Sequence, residues 1–190
     1  MRIAIIGGGI GGLALAHGLI RAGITADVYE RTRQRTDWLQ GYRIHINPAG
    51  ARALQGCLPP PLFQSFLDTV SGDTDGFSFR TDQGAELLTL AAAEINTGGE
   101  RHYGASRHRL REVLLTGLDD VVHHGREFTH YKTEGDRVTA FFADGSTADA
   151  DLLVGADGAN SRVRAQLLPH AAGRLDTGVV AVAGKHPLDG

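Results

Sequence analysis

Residues 1–30 read MRIAIIGGGIGGLALAHGLIRAGITADVYE, and they place an apolar run, a cluster of glycines and a helix-forming segment in direct succession. The run Ile3–Ile6 is typical of a strand that is buried on both faces. Leu13–Ile20 is rich in helix formers, and Gly23 stands where a helix would end. Thr25–Tyr29 then predicts a second strand. The order predicts one strand–turn–helix–strand unit of about thirty residues, the setting in which a glycine fingerprint has meaning.

Glycine occupies five of the six positions from 7 to 12, although glycine lowers folding stability through backbone entropy. Gly7, Gly9 and Gly12 have the spacing G-x-G-x-x-G of a dinucleotide-binding turn. The first permits a tight turn, the second lets the backbone approach a pyrophosphate, and the third lets helix and strand pack closely. The N–H groups that open the helix, at Ile10 and Gly11, would then face the diphosphate.

Glu30 ends the second predicted strand. A carboxylate at this place can accept hydrogen bonds from a ribose diol and repels a 2′-phosphate. We therefore expect FAD or NAD rather than NADP at this site; the motif does not distinguish between the first two.

Composition excludes several classes of function. The chain has 190 residues with 42% hydrophobic content and a net charge of −3, which is typical of a globular protein with one core, or one domain and part of another. Nineteen basic residues against 22 acidic ones, without a basic tract, argue against a nucleic-acid partner. The single Cys57 excludes an internal disulfide and a CxxC redox site, and we expect it to be a small buried residue. We expect no membrane contact and a cytoplasmic location, since no long apolar run or signal peptide is seen.

The rest of the chain predicts a mixed α/β fold. Strands are predicted at residues 41–46, 76–81, 85–90, 121–122, 127–132, 137–143 and 151–155. Helices are predicted after Pro48, at 62–70, and at 107–118 with Ser106 as the N-cap. His123 and His124 are adjacent in a strand end, which is poor geometry for a shared metal, so we expect a solvent-facing pair and no metal site.

Residues 151–164, DLLVGADGANSRVR, predict a buried strand that enters a glycine-rich turn and a helix. Together with the glycine fingerprint, they make the chain resemble the class A flavoprotein monooxygenases, the FAD-dependent aromatic hydroxylases. The matching motifs are the fingerprint with Glu30-Arg31, the helix motif SRHRLR at 106–111, and the DG motif at 155–158. Residues 41–44 resemble the family's loop near the isoalloxazine ring, and 121–143 resembles its β-meander.

The resemblance implies a set of residues that contact FAD. It assigns Arg107 to the flavin cofactor, Asp157 to the DG motif, and the backbone at Phe128 to the neighbourhood of adenine. The full set comprises Gly7, Gly9, Ile10, Gly11, Gly12, Glu30, Arg31, Arg43, Arg107, Phe128 and Asp157. The catalytic residues stay unknown.

Three of these residues have simpler interpretations. Arg107 could lie on a solvated helix face, although a positive charge at a helix N-terminus is unfavourable and so favours an anionic partner. Arg43 could pair with a flavin or substrate group, or with a surface acid. Asp157 could only cap the following turn, which is a common use of Asp.

The resemblance implies a Rossmann-like FAD-binding domain followed by the start of a β-rich substrate domain. We expect residues 1–70 and 101–172 to form the FAD-binding domain, 71–100 to be a hairpin insertion of the substrate domain, and 173–190 to begin its truncated remainder. The family's later Gly-Asp motif is absent from this chain. We therefore expect an N-terminal portion, a truncated product or one half of a split enzyme.

The implied function is an FAD-dependent monooxygenase. It would use NAD(P)H and O₂ to hydroxylate an aromatic or polyketide-like small molecule through a C4a-hydroperoxyflavin, and a second polypeptide could complete its site. The alternatives are another flavoenzyme of the same fold, such as a halogenase, or a non-catalytic FAD-binding subunit. A nicotinamide-only reductase is disfavoured because residues 31–91 predict loops and a hairpin rather than a second βαβ half.

Overall fold

The computed structural model describes residues 1–33, 43–70, 76–91, 94, 101–173 and 175–179. Its strands are β1 Arg2–Ile6, β2 Thr25–Glu30, β3 Arg43–Ile46, β4 Gly76–Arg80, β5 Glu86–Ala91, β6 Tyr103–Ser106, β7 Val122–His124, β8 Phe128–Glu134, β9 Arg137–Phe142, β10 Thr147–Ala150 and β11 Leu152–Gly155. Its α-helices are α1 Ile10–Arg21, α2 Pro48–Cys57, α3 Pro60–Thr69, α4 Arg107–Leu115 and α5 Arg162–Leu167.

A parallel sheet in the order β11-β1-β2-β7 forms the centre of the fold. The strand β1 lies between β11 and β2, with Ile6 in register with Gly155 on one side and Tyr29 on the other. The helix α1 packs on this sheet, and Ile5 and Leu13 are fully buried in the shared core. The mixed α/β fold expected from the sequence is confirmed.

A second sheet is an antiparallel meander in the order β10-β9-β8. Phe128, Ala140 and Phe142 of this sheet form a core cluster with Ile6 of β1 and Val163 of α5. The meander therefore packs beside the carboxyl end of β1, where the glycine turn begins. A β-meander is present as predicted, but not with the predicted bounds of 121–143. The strand β7 pairs in parallel with β2 instead, and β10, which was not predicted, completes the meander.

Two further sheets have two strands each. The hairpin of β4 and β5 was predicted, and the side chains of β5 are exposed along its whole length. The pair β3–β6 places Arg43 in register with Ser106, the residue that caps α4. Residues 41 and 42 of the expected third strand lie outside the described residues, and the domain boundaries at 71–100 and 173–190 stay predictions.

Two helix boundaries differ from the predictions. The helix expected at 62–70 begins at Pro60, because proline fits the first helical turn, where its missing N–H costs nothing. The helix expected at 107–118 ends at Leu115, since Thr116 is already extended with a ψ of 124° and Gly117 then takes a φ of 77°. Among the described helices, none is both long and apolar enough to cross a membrane.

His17 joins α1 to α4 inside the core. Its Nε2 donates to the backbone oxygen of Leu114 at 2.9 Å, and its side chain is buried. Burial lowers the pKa of His17 below its ordinary value of 6.5, because an imidazolium is poorly solvated there. The structure therefore places His17 in the packing between α1 and α4.

We expect His17 to make the folded chain less stable as the pH falls below about 6.5. The unfolded chain binds a proton there that the folded chain resists, so the free energy of unfolding decreases with decreasing pH. His17→Gln, whose amide can still donate to Leu114, should flatten this dependence in urea unfolding at pH 7.5, 6.5 and 5.5. The exposed His170→Gln is the control, and equal slopes in both variants would contradict the assignment.

Candidate functional site

A cleft of about 410 Å³ opens where three parallel strands end. Gly7 follows β1, Glu30 ends β2, and Asp157 lies two residues beyond β11, and all three line the cleft. Ligands of open α/β sheets bind at this edge of the sheet. The size also falls within the range of small-molecule sites, about 300–1,000 Å³.

The glycine turn is held by close backbone packing. Gly7 has a φ of 112°, and a Cβ there would overlap the backbone oxygen of Ala156. A Cβ on Gly12 would overlap the backbone oxygen of Gly7. At Gly9 and Gly11, by contrast, no described residue beyond the adjoining backbone lies within 4 Å of a Cβ position. Gly7 and Gly12 are thus required for packing, whereas Gly9 leaves its side of the cleft open.

Both backbone polar groups of Gly8 form hydrogen bonds to side chains. Its N–H donates to Oε2 of Glu30 at 2.7 Å, and its carbonyl oxygen accepts from Nε of Arg111 at 3.1 Å. Oε1 of Glu30 accepts in turn from the N–H of Thr32 at 2.9 Å. Glu30 therefore ties the glycine turn to the residues that follow β2.

Arg111 is a residue that sequence reasoning missed. It is 2% exposed, deep in the fold, although it belongs to a helix whose sequence is rich in charge. A signal was present: Arg111 precedes Leu114 and Leu115 by three and four residues, which places it on the apolar face of α4.

Asp157 lies at the opposite side of the cleft. Its Oδ2 accepts from the N–H groups of Arg162 at 2.7 Å and Val163 at 3.3 Å, so it caps the start of α5 as the simpler interpretation proposed. Its Oδ1 is buried and makes no hydrogen bond within the described part of the chain. A buried carboxylate oxygen without a donor is costly, so the cap does not account for the whole side chain.

Arg162, the first residue of α5, connects the turn after β11 to the start of the meander. Its Nη1 donates to the backbone oxygen of Phe128 at 2.7 Å, and its Nη2 donates to Oε1 of Glu127 at 2.8 Å. Arg126, which also lines the cleft, forms an ion pair with Asp144 and donates to Oγ of Ser146 at 2.6 Å. The rim formed by the meander is thus fixed to the turn after β11.

The structure brings most of the predicted site residues together. Those that line the cleft are Gly7, Gly9, Glu30, Arg31, Arg107, Phe128 and Asp157. Ile10, Gly11 and Gly12 form the first turn of α1 next to it. Arg43 lies outside the lining, on β3 beside the cap of α4.

His123 and His124 were expected to face solvent; both are half-buried and hydrogen-bonded, and the side chain of His123 is 40% exposed. Nε2 of His123 lies 2.9 Å from Oδ1 of Asp27, and its ring stacks on Tyr29. Nδ1 of His124 lies 3.2 Å from the backbone oxygen of Thr32. Burial acts to raise the pKa of Asp27, but hydrogen bonds from His123 and Arg2 outweigh it, so this pKa lies below its ordinary value.

Cys57 is half-buried at the end of α2 rather than fully buried. Its Sγ lies 3.0 Å from the position that a Cβ on Gly18 would take, so the two helices meet closely at this point. The residue packs between α1 and α2, at the side of the sheet rather than at the cleft.

The known proteins to which this chain is similar are FAD-dependent. The FAD binding domain family matches residues 64–188. A dual O-methyltransferase/FAD-dependent monooxygenase of Phaeosphaeria nodorum is 35% identical over 96% of this chain and 20% of its own length. The FAD-dependent urate hydroxylase of Klebsiella pneumoniae is 32% identical over 100% of this chain and 48% of its own length.

Solved structures agree with this. A putative FAD containing monooxygenase from Photorhabdus luminescens superposes with a TM-score of 0.76 and 38% identity, over 89% of this chain and 42% of the other. Klebsiella pneumoniae HpxO complexed with FAD and uric acid superposes with a TM-score of 0.71 and 30% identity, over 87% of this chain and 41% of the other. The chain spans between a fifth and a half of the proteins it matches.

Proposed function

Because the chain belongs to the FAD binding domain family, we propose that it binds FAD in the cleft and forms the flavin-binding part of an FAD-dependent monooxygenase. The observation that carries the proposal is the turn between β1 and α1. Gly9, which has free space beside it, lies there at the start of α1. Glu30, at the end of β2, lines the same cleft.

The described residues fit the parts of this cofactor. The first turn of α1 contains no acidic residue, and its N–H groups and helix dipole favour a diphosphate. Both oxygens of Glu30 accept from backbone N–H groups, yet a carboxylate offers about four acceptor positions, so a ribose diol can still bind. The backbone at Phe128 forms the rim where adenine would lie, and Arg107 supplies positive charge toward the flavin side.

FAD, when bound, supplies the redox chemistry, with NAD(P)H as the electron donor and O₂ as the oxidant. The residues of this chain bind and orient the cofactor: the glycine turn presents N–H groups, Glu30 fixes the ribose, and Asp157 offers its buried Oδ1 to a donor. Relatives of this chain include the urate hydroxylase named above and a 6-hydroxynicotinate 3-monooxygenase of Pseudomonas fluorescens, which is 32% identical over 88% of this chain. An aromatic ring compound is accordingly the proposed substrate class.

A titration with FAD tests the proposal. We expect about one flavin per chain, with a shifted and structured visible spectrum, because the site holds one dinucleotide. FMN lacks the adenosine half and therefore the contacts at Glu30 and Phe128, so it should bind at least about 100-fold more weakly, a difference of about 2.7 kcal/mol. Absence of flavin binding at saturating FAD would contradict the proposal.

A non-catalytic FAD-binding subunit is the second candidate. Anaerobic addition of NADH or NADPH to the FAD-loaded chain separates the two. Bleaching of the flavin band supports an electron-accepting enzyme part. An unchanged band supports the binding subunit. A second polypeptide that completes the substrate side, and a cytoplasmic location, stay predictions.

A further inference from the structure

A side chain of α4 forms a hydrogen bond to the glycine turn: Nε of Arg111 donates to the carbonyl oxygen of Gly8, 103 positions earlier in the chain. We propose that Arg111 is a positioning residue that aims the Gly9 N–H at the diphosphate of the bound cofactor. The inference rests on the proposed FAD site, and it assigns a role to a side chain that does not line the cleft.

The first step is the geometry of one peptide unit. The carbonyl of Gly8 and the N–H of Gly9 belong to the same planar trans peptide, so they point in opposite directions. Nε of Arg111 holds the carbonyl at 3.1 Å from within the core. The Gly9 N–H must therefore point away from the core. It makes no hydrogen bond to any residue that the structure describes.

The second step is that this peptide would not hold its orientation alone. Glycine peptides reach more conformations than any others, and Gly8 and Gly9 follow each other here. Glu30 fixes the N–H of Gly8 at 2.7 Å, but this bond lies on the preceding peptide unit. The bond from Arg111 acts directly on the unit that carries the Gly9 N–H, and no other bond to that unit is seen among the described residues.

The third step concerns charge. A buried guanidinium is costly to place in a core unless its donors are used, and a hydrogen bond from a charged donor is about twice as strong as a neutral one. An uncharged side chain could fill the same space in α4. The side chain of Arg111 is 2% exposed, and its Nε donor is used on the carbonyl of Gly8.

The test compares Arg111→Met with Arg109→Met, which makes the same substitution at an exposed position of the same helix. Affinities for FAD, ADP and adenosine are measured at a temperature at which both variants are folded. We expect Arg111→Met to weaken FAD and ADP about tenfold to 100-fold, as expected for loss of a hydrogen bond to a charged group, and adenosine less than threefold. Arg109→Met should match the unchanged chain.

The outcomes separate the inference from the proposed function. If the unchanged chain does not bind FAD or ADP, the proposed function and this inference both fail. If the unchanged chain binds them and Arg111→Met is less stable but binds equally well, only the inference fails, because Arg111 is then merely structural.

A measurement on the unchanged chain covers the case in which Arg111→Met does not fold. The ¹⁵N-labelled chain is titrated with ADP, and the Gly9 amide resonance is followed. A downfield shift of its proton that exceeds those of the other glycines shows the contact between the Gly9 N–H and the diphosphate that the inference requires. A Gly9 resonance that stays in place while ADP binds overturns it.

Discussion

Gly12→Ala is expected to abolish FAD binding, whereas Gly11→Ala, one residue earlier in the same helix turn, is expected to preserve it. A Cβ on Gly12 would overlap the backbone oxygen of Gly7 and lie 3.3 Å from Cβ of Ala156. Neither neighbour is the end of a flexible side chain, so α1 must move away from the turns after β1 and β11. Those two turns form the floor of the cleft.

The expected size of the Gly12→Ala effect follows from overpacking. Extra methyl groups in a packed interior cost about 1–3 kcal/mol of stability, and displacement of the helix start removes the aligned N–H groups from the diphosphate. We expect the affinity for FAD to fall more than about 100-fold. Flavin titration and urea unfolding measure the two effects separately.

Gly11→Ala is the matched control because, among the described residues outside its own helix turn, none lies within 4 Å of its Cβ position. Alanine also has a higher helix propensity than glycine by up to about 1 kcal/mol, so the variant should be slightly more stable. Equal FAD affinity in the two variants would show that the close contact of Gly12 with Gly7 does not govern the site.

Glu30→Ala is expected to weaken FAD binding more than about 100-fold and to destabilise the folded chain. The substitution removes the acceptor of the Gly8 and Thr32 N–H groups, at 2.7 and 2.9 Å, and Glu30 is only 7% exposed. A buried donor left without an acceptor costs about 1–3 kcal/mol. The variant also removes the acceptor proposed for the ribose diol, so both effects act in the same direction.

Two further variants refine this result. Glu30→Gln keeps one acceptor oxygen and should lose less affinity than Glu30→Ala. Glu112→Ala changes an exposed acid on α4 and should bind FAD as the unchanged chain does. Affinities are measured by quenching of flavin fluorescence, and wild-type affinity in Glu30→Ala would remove Glu30 from the site.

Local patterns in the sequence predicted the elements that carry the site. The unit of β1, the glycine turn, α1 and β2 was read correctly because apolar runs, glycines and helix formers act over a few residues. The strand β11 and the turn that follows it were read in the same way. The strands β6 and β10 were missed because each has four residues and mixes polar with apolar side chains.

Those local patterns did not predict contacts between segments that are distant in the sequence. Spacing placed Glu30 at a strand end but did not show that both its oxygens would hold backbone N–H groups. It presented Arg111 as one charge among several on α4, although its Nε bonds to Gly8. The sequence left two roles open for Asp157, a cap of the following turn and a contact with FAD. In the structure Oδ2 accepts from the N–H of Arg162, whereas Oδ1 is buried.

The sequence by itself determined the order of the elements, the turn at Gly7–Gly12, the acid at the end of β2 and the likeness to one family. Tertiary structure alone decided that α4 would place Arg111 against Gly8, and that Arg162 would join the meander to the turn after β11. The physical reason is range. Backbone preferences and apolar periodicity act between neighbours in the chain, whereas a side chain's partner across a hundred residues depends on how helices and sheets pack.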